Sequence, residues 1–369
     1  MNQSGTYETG NQKNKKKFKI WKIILIILLV LITAGAIGIA IFAYQNLHYD
    51  EWPLKKTLKS GYEEKQVTLL DGTMLNYAEG PDNGPALLLI HGQSMAWEDY
   101  SRVLPQLSKY YHVFAIDCHG HGESSHDPSK YTGVAMGQDF VWFIKNVIGE
   151  PCVVSGHSSG GILAAWIASN SPEDVLGLVL EDPPFFSVTP EEMQNTFVWK
   201  ESFELGYNFR NQTKENDFVV YYMENSYLWG MFGDLPKLLS KSAKEYREKH
   251  PGEPLKLWYV PYNWIHGTLY MDNFDQDFSH SFYTGTWFEG LDQEETLSNI
   301  KAPSVYIKAK TQYGEDGVLY AANSDEDAEK VHNLIKGNEM ITIKSGHDIH
   351  FEKPDEFVQI MVDFLDKID

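Results

Sequence analysis

The pentapeptide GHSSG at residues 156–160 sets Ser158 between two glycines. An apolar run, CVVSGH (152–157), leads into it, and SGGILAAWIAS leaves it with the composition of a helix start. A serine on a tight strand-to-helix turn is held at a strained backbone angle with its hydroxyl exposed, and small flanking residues are needed where neighbouring backbone comes close. Ser158 is therefore a candidate nucleophile. A serine hydroxyl is a weak nucleophile at neutral pH and needs a base within hydrogen-bond reach. The late loop GHDIHFEKP (346–354) supplies one. His347, directly after Gly346, is the candidate base; His350 is the alternative, and otherwise shapes the loop. A carbonyl under attack develops negative charge and needs donors aimed at it. HGQS (91–94) places the backbone N–H of Gln93 to give one, and the N–H of Ser159 gives the other. The remaining histidines of these motifs read as structural: His91 and His157 at strand ends, His119 and His121 in a glycine turn.

Such groups meet only if a scaffold brings them together. VTLL (67–70) and LNYAE (75–79) flank the turn Asp71-Gly72 and read as a hairpin. ALLLIHG (86–92), HVFAID (112–117), CVVSGH, VLGLVLED (175–182), SVYIKA (304–309) and MITIK (340–344) are apolar runs. Continuous apolar strands of this length belong in a parallel sheet covered on both faces. Helical segments are expected at 97–109, 134–148, 159–170, 325–336 and 354–367, an alternation that predicts an α/β fold. Residues 183–300 interrupt it. They hold 25 of the chain's 50 aromatic residues, which reads as a mostly helical cap whose rings pack its own core and line a pocket.

The order HGQS, DCHGHGES, GHSSGG, cap and GHDIHFEKPDEF resembles the α/β-hydrolase fold family over about residues 62–369. The resemblance implies a mostly parallel eight-stranded sheet with the cap after the sixth strand. It implies Ser158 as nucleophile, His347 as base and the Gln93 and Ser159 amides as oxyanion hole. It gives Asp117, Gly120 and Gly122 a structural turn. One feature departs from the family pattern: the triad acid commonly follows the seventh strand, and here SVYIKA runs into Lys310-Thr311-Gln312. Asp182, at the end of the sixth strand before two prolines, is the candidate acid, with Asp316 or Glu315 as alternatives; a turn-capping role for Asp182 at Pro183-Pro184 is its structural rival. A serine at 158 also departs from the aspartate nucleophile of haloalkane dehalogenases and epoxide hydrolases. The expected activity is hydrolysis of an ester or related acyl substrate through an acyl-enzyme, with amide or carbon–carbon bond hydrolysis open. The alternative is a non-catalytic ligand-binding protein on the same fold. No cofactor and no metal site is expected, and Cys118 and Cys152 are not expected to pair.

The chain has 369 residues, 43% hydrophobic and 22% charged, enough for a packed core and unlike a disordered chain. Its formal net charge is −20. Residues 1–22 carry six lysines and one glutamate, leaving 25 basic and 50 acidic residues elsewhere. So acidic a body repels phosphate backbones, which argues against nucleic-acid binding. Residues 23–43, IILIILLVLITAGAIGIAIFA, contain no charge, and Thr33 is their only polar side chain. As a helix they span about 30 Å, the thickness of a bilayer core. An uncleaved anchor is preferred to a signal peptide because the apolar run is long and no small-x-small site follows it. Six lysines precede the run, against Lys55, Lys56 and Lys59 after it, so the N-terminus is expected in the cytoplasm and the hydrolase domain outside it. The organisation expected is a basic disordered tail (1–22), a transmembrane helix (23–45), a linker (46–61), an α/β-hydrolase core (62–182), a cap inserted into that core (183–300) and the remainder of the core (301–369).

Overall fold

A computed structural model describes residues 7–189 and 192–368. The chain forms two compact units: one comprises the N-terminal stretch to Tyr49 with Lys256–Ile265, and the other Asp50–Leu255 with His266–Asp369.

In the first unit, helix α1 runs Tyr7–His48. Its stretch Lys17–His48 is long and apolar enough to cross a membrane, at about 48 Å. Large apolar side chains from Phe18 to Phe42 are exposed along it. Residues 1–6 of the tail expected to be disordered lie outside the described residues; from Tyr7 on, the tail is helical. Lysine is a good helix former, and adding residues to an existing helix costs far less than starting one. Near its C-terminal end the buried Asn46 donates to the Trp258 carbonyl at 2.9 Å and accepts from the Tyr262 N–H at 3.2 Å. The segment expected as a linker is instead helical to His48 and again over α2, Glu51–Lys59. Pro53 falls in the first turn of α2, where a missing N–H costs nothing.

The second unit is built on eight strands: β1 Glu63–Thr68, β2 Met74–Glu79, β3 Ala86–Ile90, β4 His112–Ile116, β5 Cys152–His157, β6 Val175–Glu181, β7 Ser304–Ala309 and β8 Glu339–Ile343. Their order is β1-β2-β4-β3-β5-β6-β7-β8. The β1–β2 and β2–β4 pairs are antiparallel; the rest are parallel. Every residue of β3, β5 and β7 is buried, because helices cover both faces. The inward-pointing residues form two apolar clusters, one around Leu88, Val154 and Leu180, the other around Leu87, Val153 and Val179. The alternation of partners along each strand follows the two-residue period of a pleated sheet. The helix Ser159–Asn170 after β5 is buried from Ser159 to Ala168. Between β6 and β7 lie short helices, several started by aspartate: Asp217, Asp275 and Asp292 accept from the amides of Val220, Asp277 and Glu295. Their rings stack, as in Phe203–Phe282 at 4.8 Å and Tyr207–Tyr283 at 4.1 Å.

Candidate active site

β5 delivers the chain to Ser158, whose φ of 53° and ψ of −124° are costly for a residue with a Cβ. The Ser158 N–H donates to the Glu181 carbonyl at 2.9 Å, and its own carbonyl accepts from Gly161 at 2.9 Å. The flanking glycines are spatial necessities. A Cβ on Gly156 would lie 2.1 Å from the Gly160 oxygen, and one on Gly160 would lie 2.3 Å from the Ile90 oxygen.

His347 Nδ1 is 2.8 Å from Asp182 Oδ2. The other Asp182 oxygen accepts the Ala309 N–H at 2.9 Å, so the end of β7 holds the carboxylate that β6 supplies. Asp182 is fully buried and sits at φ 43°. An ionised carboxylate only accepts, so Nδ1 carries the proton and Nε2 is the ring's basic atom. Burial alone would lower the pKa of His347; the hydrogen bond and charge of Asp182, with Asp348 and Glu181 behind, outweigh it and raise the value. Asp316 and Glu315 are exposed. Asp316 accepts from the Tyr227 hydroxyl and from the Val318 N–H, and neither residue is bonded to His347. Cys118 and Cys152 are free thiols in the core.

Ser158 and His347 line one cavity of about 370 Å³, together with Gln93, Phe197, Glu201 and Tyr320. No hydrogen bond joins the Ser158 hydroxyl to the ring; such bonds are often long until substrate is bound. The amides of Gln93 and Ser159 donate to no acceptor among the described residues. The loop carrying Gln93 is fixed by two histidines. His91 Nε2 accepts the Cys118 N–H at 3.0 Å, so its Nδ1–H donates to the Gly92 carbonyl at 2.7 Å. His121 Nε2 accepts the Ser94 N–H at 3.0 Å. Burial pushes His91 down to about 4 and His121 well below its ordinary value, so both act as neutral braces. The Gln93 side chain donates to the hydroxyls of Ser202 and Ser279, each at 2.8 Å. In the glycine turn, Asp117 accepts from Asn76, Trp97 and Glu123, a bracing role.

A second polar group lies beside His347. His350 bonds Glu181 through Nδ1 at 2.8 Å and Asp99 through Nε2 at 3.0 Å, and the other Asp99 oxygen meets His266 Nε2 at 2.6 Å. All four residues are buried. Burial opposes charge on His350, but the two carboxylates hold its pKa well above the ordinary value. His350 thus fixes the loop on which His347 rides. Sequence reasoning misses Glu181, Asp99 and His266, although an acid ending a run as apolar as VLGLVL is an available signal. His157 Nε2 lies 3.2 Å from both the His347 carbonyl and Asp348 Oδ1, and burial with the nearby His347 pushes it down to about 3. Among the described residues, two clusters offer ligand atoms close enough to share a cation: Asp99, His157 and His350, and His157, His347 and Asp348. Their hydrogen bonds already commit the His350 nitrogens and His347 Nδ1 to carboxylates, so we assign no metal to them.

The sequence model of the alpha/beta hydrolase family matches residues 87–360. The human serine hydrolase-like protein is 33% identical over 128 residues, 33% of this chain and 62% of that protein. The matches span from about two fifths to three fifths of the length of the first curated relatives. Among solved structures, a bacterial membrane phospholipase A superposes with a TM-score of 0.56 at 20% identity, covering 94% of this chain and 98% of that one. A hydrolase from Pseudomonas aeruginosa PA01 gives 0.58 at 20% identity, covering 82% and 98%. Those two likenesses speak to the fold alone, whereas the family model spans nearly three quarters of the sequence, from β3 into the last helix. This chain belongs to the alpha/beta hydrolase family.

Proposed function

We propose that the protein is a membrane-anchored serine hydrolase that cleaves an ester or related acyl substrate through an acyl-enzyme on Ser158. The observation that carries this reading is the pairing of a positive-φ serine at the head of a helix with a histidine whose far nitrogen is bound to a buried aspartate, on one cavity. In this mechanism Ser158 Oγ attacks the carbonyl carbon while His347 Nε2 takes its proton. Asp182 holds the ring and stabilises its charged form. The oxyanion is met by the Gln93 and Ser159 amides. Collapse breaks the bond to the leaving group, which takes the proton from His347 Nε2. Water then attacks the acyl-enzyme, giving a proton to the same nitrogen, and the acid departs as Ser158 Oγ recovers that proton.

Residues 183–300 act as the cap that shapes the acyl or leaving-group pocket. Residues 23–43 anchor the chain, with the lysine-rich end cytoplasmic and the hydrolase domain outside. The name of the membrane phospholipase A is in keeping with an ester substrate at a membrane. The test is labelling by a fluorophosphonate probe. We expect the full chain to label and Ser158→Ala not to. Equal labelling of both, or none of the folded wild type, overturns the reading in favour of a non-catalytic ligand-binding protein.

A further inference from the structure

The cavity that holds Ser158 and His347 has a one-sided charge. Among the described residues its lining carries two carboxylates, Glu201 and Asp348, two histidines, His157 and His347, and no lysine or arginine. Asp348 already faces a ring nitrogen of His157 at 3.2 Å. Glu201 likewise meets neutral donors. Its two oxygens accept from the Tyr222 hydroxyl at 2.7 Å and the Leu228 N–H at 2.8 Å, with the Ser226 hydroxyl and the Tyr227 N–H also acting on it, and no ion pair reaches it among the described residues. Burial pushes its pKa up to about 7, against the pull of the hydrogen bonds from Tyr222, Leu228, Ser226 and Tyr227.

Glu201 is half-buried, and a carboxylate partly withdrawn from water without a counter-ion carries a cost that neutral donors offset only in part. Such groups gather where a ligand completes them. Glu201 is also placed for that task. It precedes Ser202, whose hydroxyl is held at 2.8 Å by the Gln93 side chain, so this wall of the cavity is tied to the loop whose amide faces the reacting carbonyl. The same cavity is lined by the rings of Phe197 and Tyr320, centroids 5.6 Å apart and edge to face at 69°. Aromatic rings next to a carboxylate favour a desolvated cation over a neutral group of the same shape. The acidic body of the chain draws cations toward the mouth.

Building on the hydrolase reading, we propose that the substrate is an ester bearing a cationic nitrogen, an ammonium or quaternary ammonium group, and that Glu201 is the counter-ion that selects it. Glu201 is a specificity-determining residue here, not a participant in acyl transfer. Substrates with a free carboxylate in that position are disfavoured by the same charge.

The test uses the full chain in detergent micelles and two isosteric substrate pairs. One is an acylcholine against the 3,3-dimethylbutyl ester of the same acid, where N⁺ replaces a quaternary carbon on the alcohol side. The other is a p-nitrophenyl ester with a trimethylammonio or a tert-butyl end on the acyl side. In at least one pair, kcat/KM should favour the cation by about 10- to 100-fold. Glu201→Gln keeps an acceptor for the Leu228 N–H and a donor for the Tyr222 oxygen, and should bring that ratio near one. A wild-type ratio near one in both pairs overturns the proposal, as does a preference that survives Glu201→Gln in protein with an unchanged near-UV circular dichroism spectrum. Fluorophosphonate labelling of Ser158 reports separately on the hydrolase reading. If labelling and turnover are both absent, calorimetry with butyltrimethylammonium still decides whether the cation site exists. Binding that is lost in Glu201→Gln upholds the site, and no binding to wild type overturns it.

Discussion

Asp182 has both oxygens committed, one to the Ala309 N–H and one to His347 Nδ1. An amide in its place can accept only at its single oxygen, so Asp182→Asn must lose one bond or force the ring into the wrong tautomer. We expect kcat for an activated ester to fall about 10³- to 10⁴-fold with the fold intact. Retained turnover, or an equal loss in Asp316→Asn, would move the triad acid elsewhere. His350 makes a different prediction, about stability. Its substitution by alanine leaves Asp99 and Glu181 buried without their shared cation, which costs about 3–5 kcal/mol in denaturant unfolding. The pH dependence follows from two shifts of opposite kind. His350 is raised above its unfolded value, so its contribution is complete below about pH 6.5 and is lost as pH rises through the higher folded value. Asp99 is lowered, chiefly by its two histidine partners against the opposing cost of burial, so its contribution is present above about pH 4 and is lost as pH falls through the lower folded value. Urea midpoints measured across this range for wild type and His350→Ala should converge at both ends; a constant gap would refute the charged-network account.

At the scale of elements, the turn between β5 and its helix leaves no room. Gly156→Ala puts a Cβ about 2 Å from a backbone oxygen that cannot swing aside, so we expect a loss of about 3 kcal/mol in stability together with loss of probe labelling. Alanine at 156 that labels like wild type would remove the packing argument. The buried parallel strands are legible in the sequence because their burial on both faces shows as unbroken apolar runs; CVVSGH and SVYIKA coincide with β5 and β7 residue for residue. The apolar pattern places β1 too late, at VTLL, because it is an edge strand with an alternating pattern, and Leu70 is a turn residue left 91% exposed. α2 reads as linker because proline and acidic residues at a helix start look like breakers when no sheet or helix partner is in view. Ser158 and His347 can be singled out because each sits in a short motif at a strand end. The network around His350 cannot, since Asp99, Glu181, His266 and His350 come from four separate stretches that only the topology joins. Glu201 is hidden for the same reason: nothing in WKESF distinguishes a cavity wall from a surface turn.

Taken whole, the chain combines an exposed apolar helix with an acidic body, and the structure divides it at Tyr49 rather than at the end of the apolar run. Residues 44–49 are therefore not merely a tether. Asn46 is 2% exposed, and its amide bonds both the Trp258 carbonyl and the Tyr262 N–H. The ring of Tyr49 stacks on Tyr262 at 4.9 Å. The segment Lys256–Ile265 thus takes hydrogen bonds and a ring stack from the chain just after the apolar run. Two truncations separate anchoring from this local role. Removing residues 1–43 should release the protein into the aqueous phase, where it remains monodisperse without detergent and keeps its probe labelling. Removing residues 1–49 strips the same segment of its hydrogen bonds to Asn46, at about 1–3 kcal/mol for each buried group left unpaired. We therefore expect rapid amide exchange and proteolytic nicking within 256–265 in the shorter protein only. Equal protection of that segment in both truncations would show that residues 44–49 are spacer, and continued partition of the protein lacking residues 1–43 into membranes would show that the apolar run is not what holds it there.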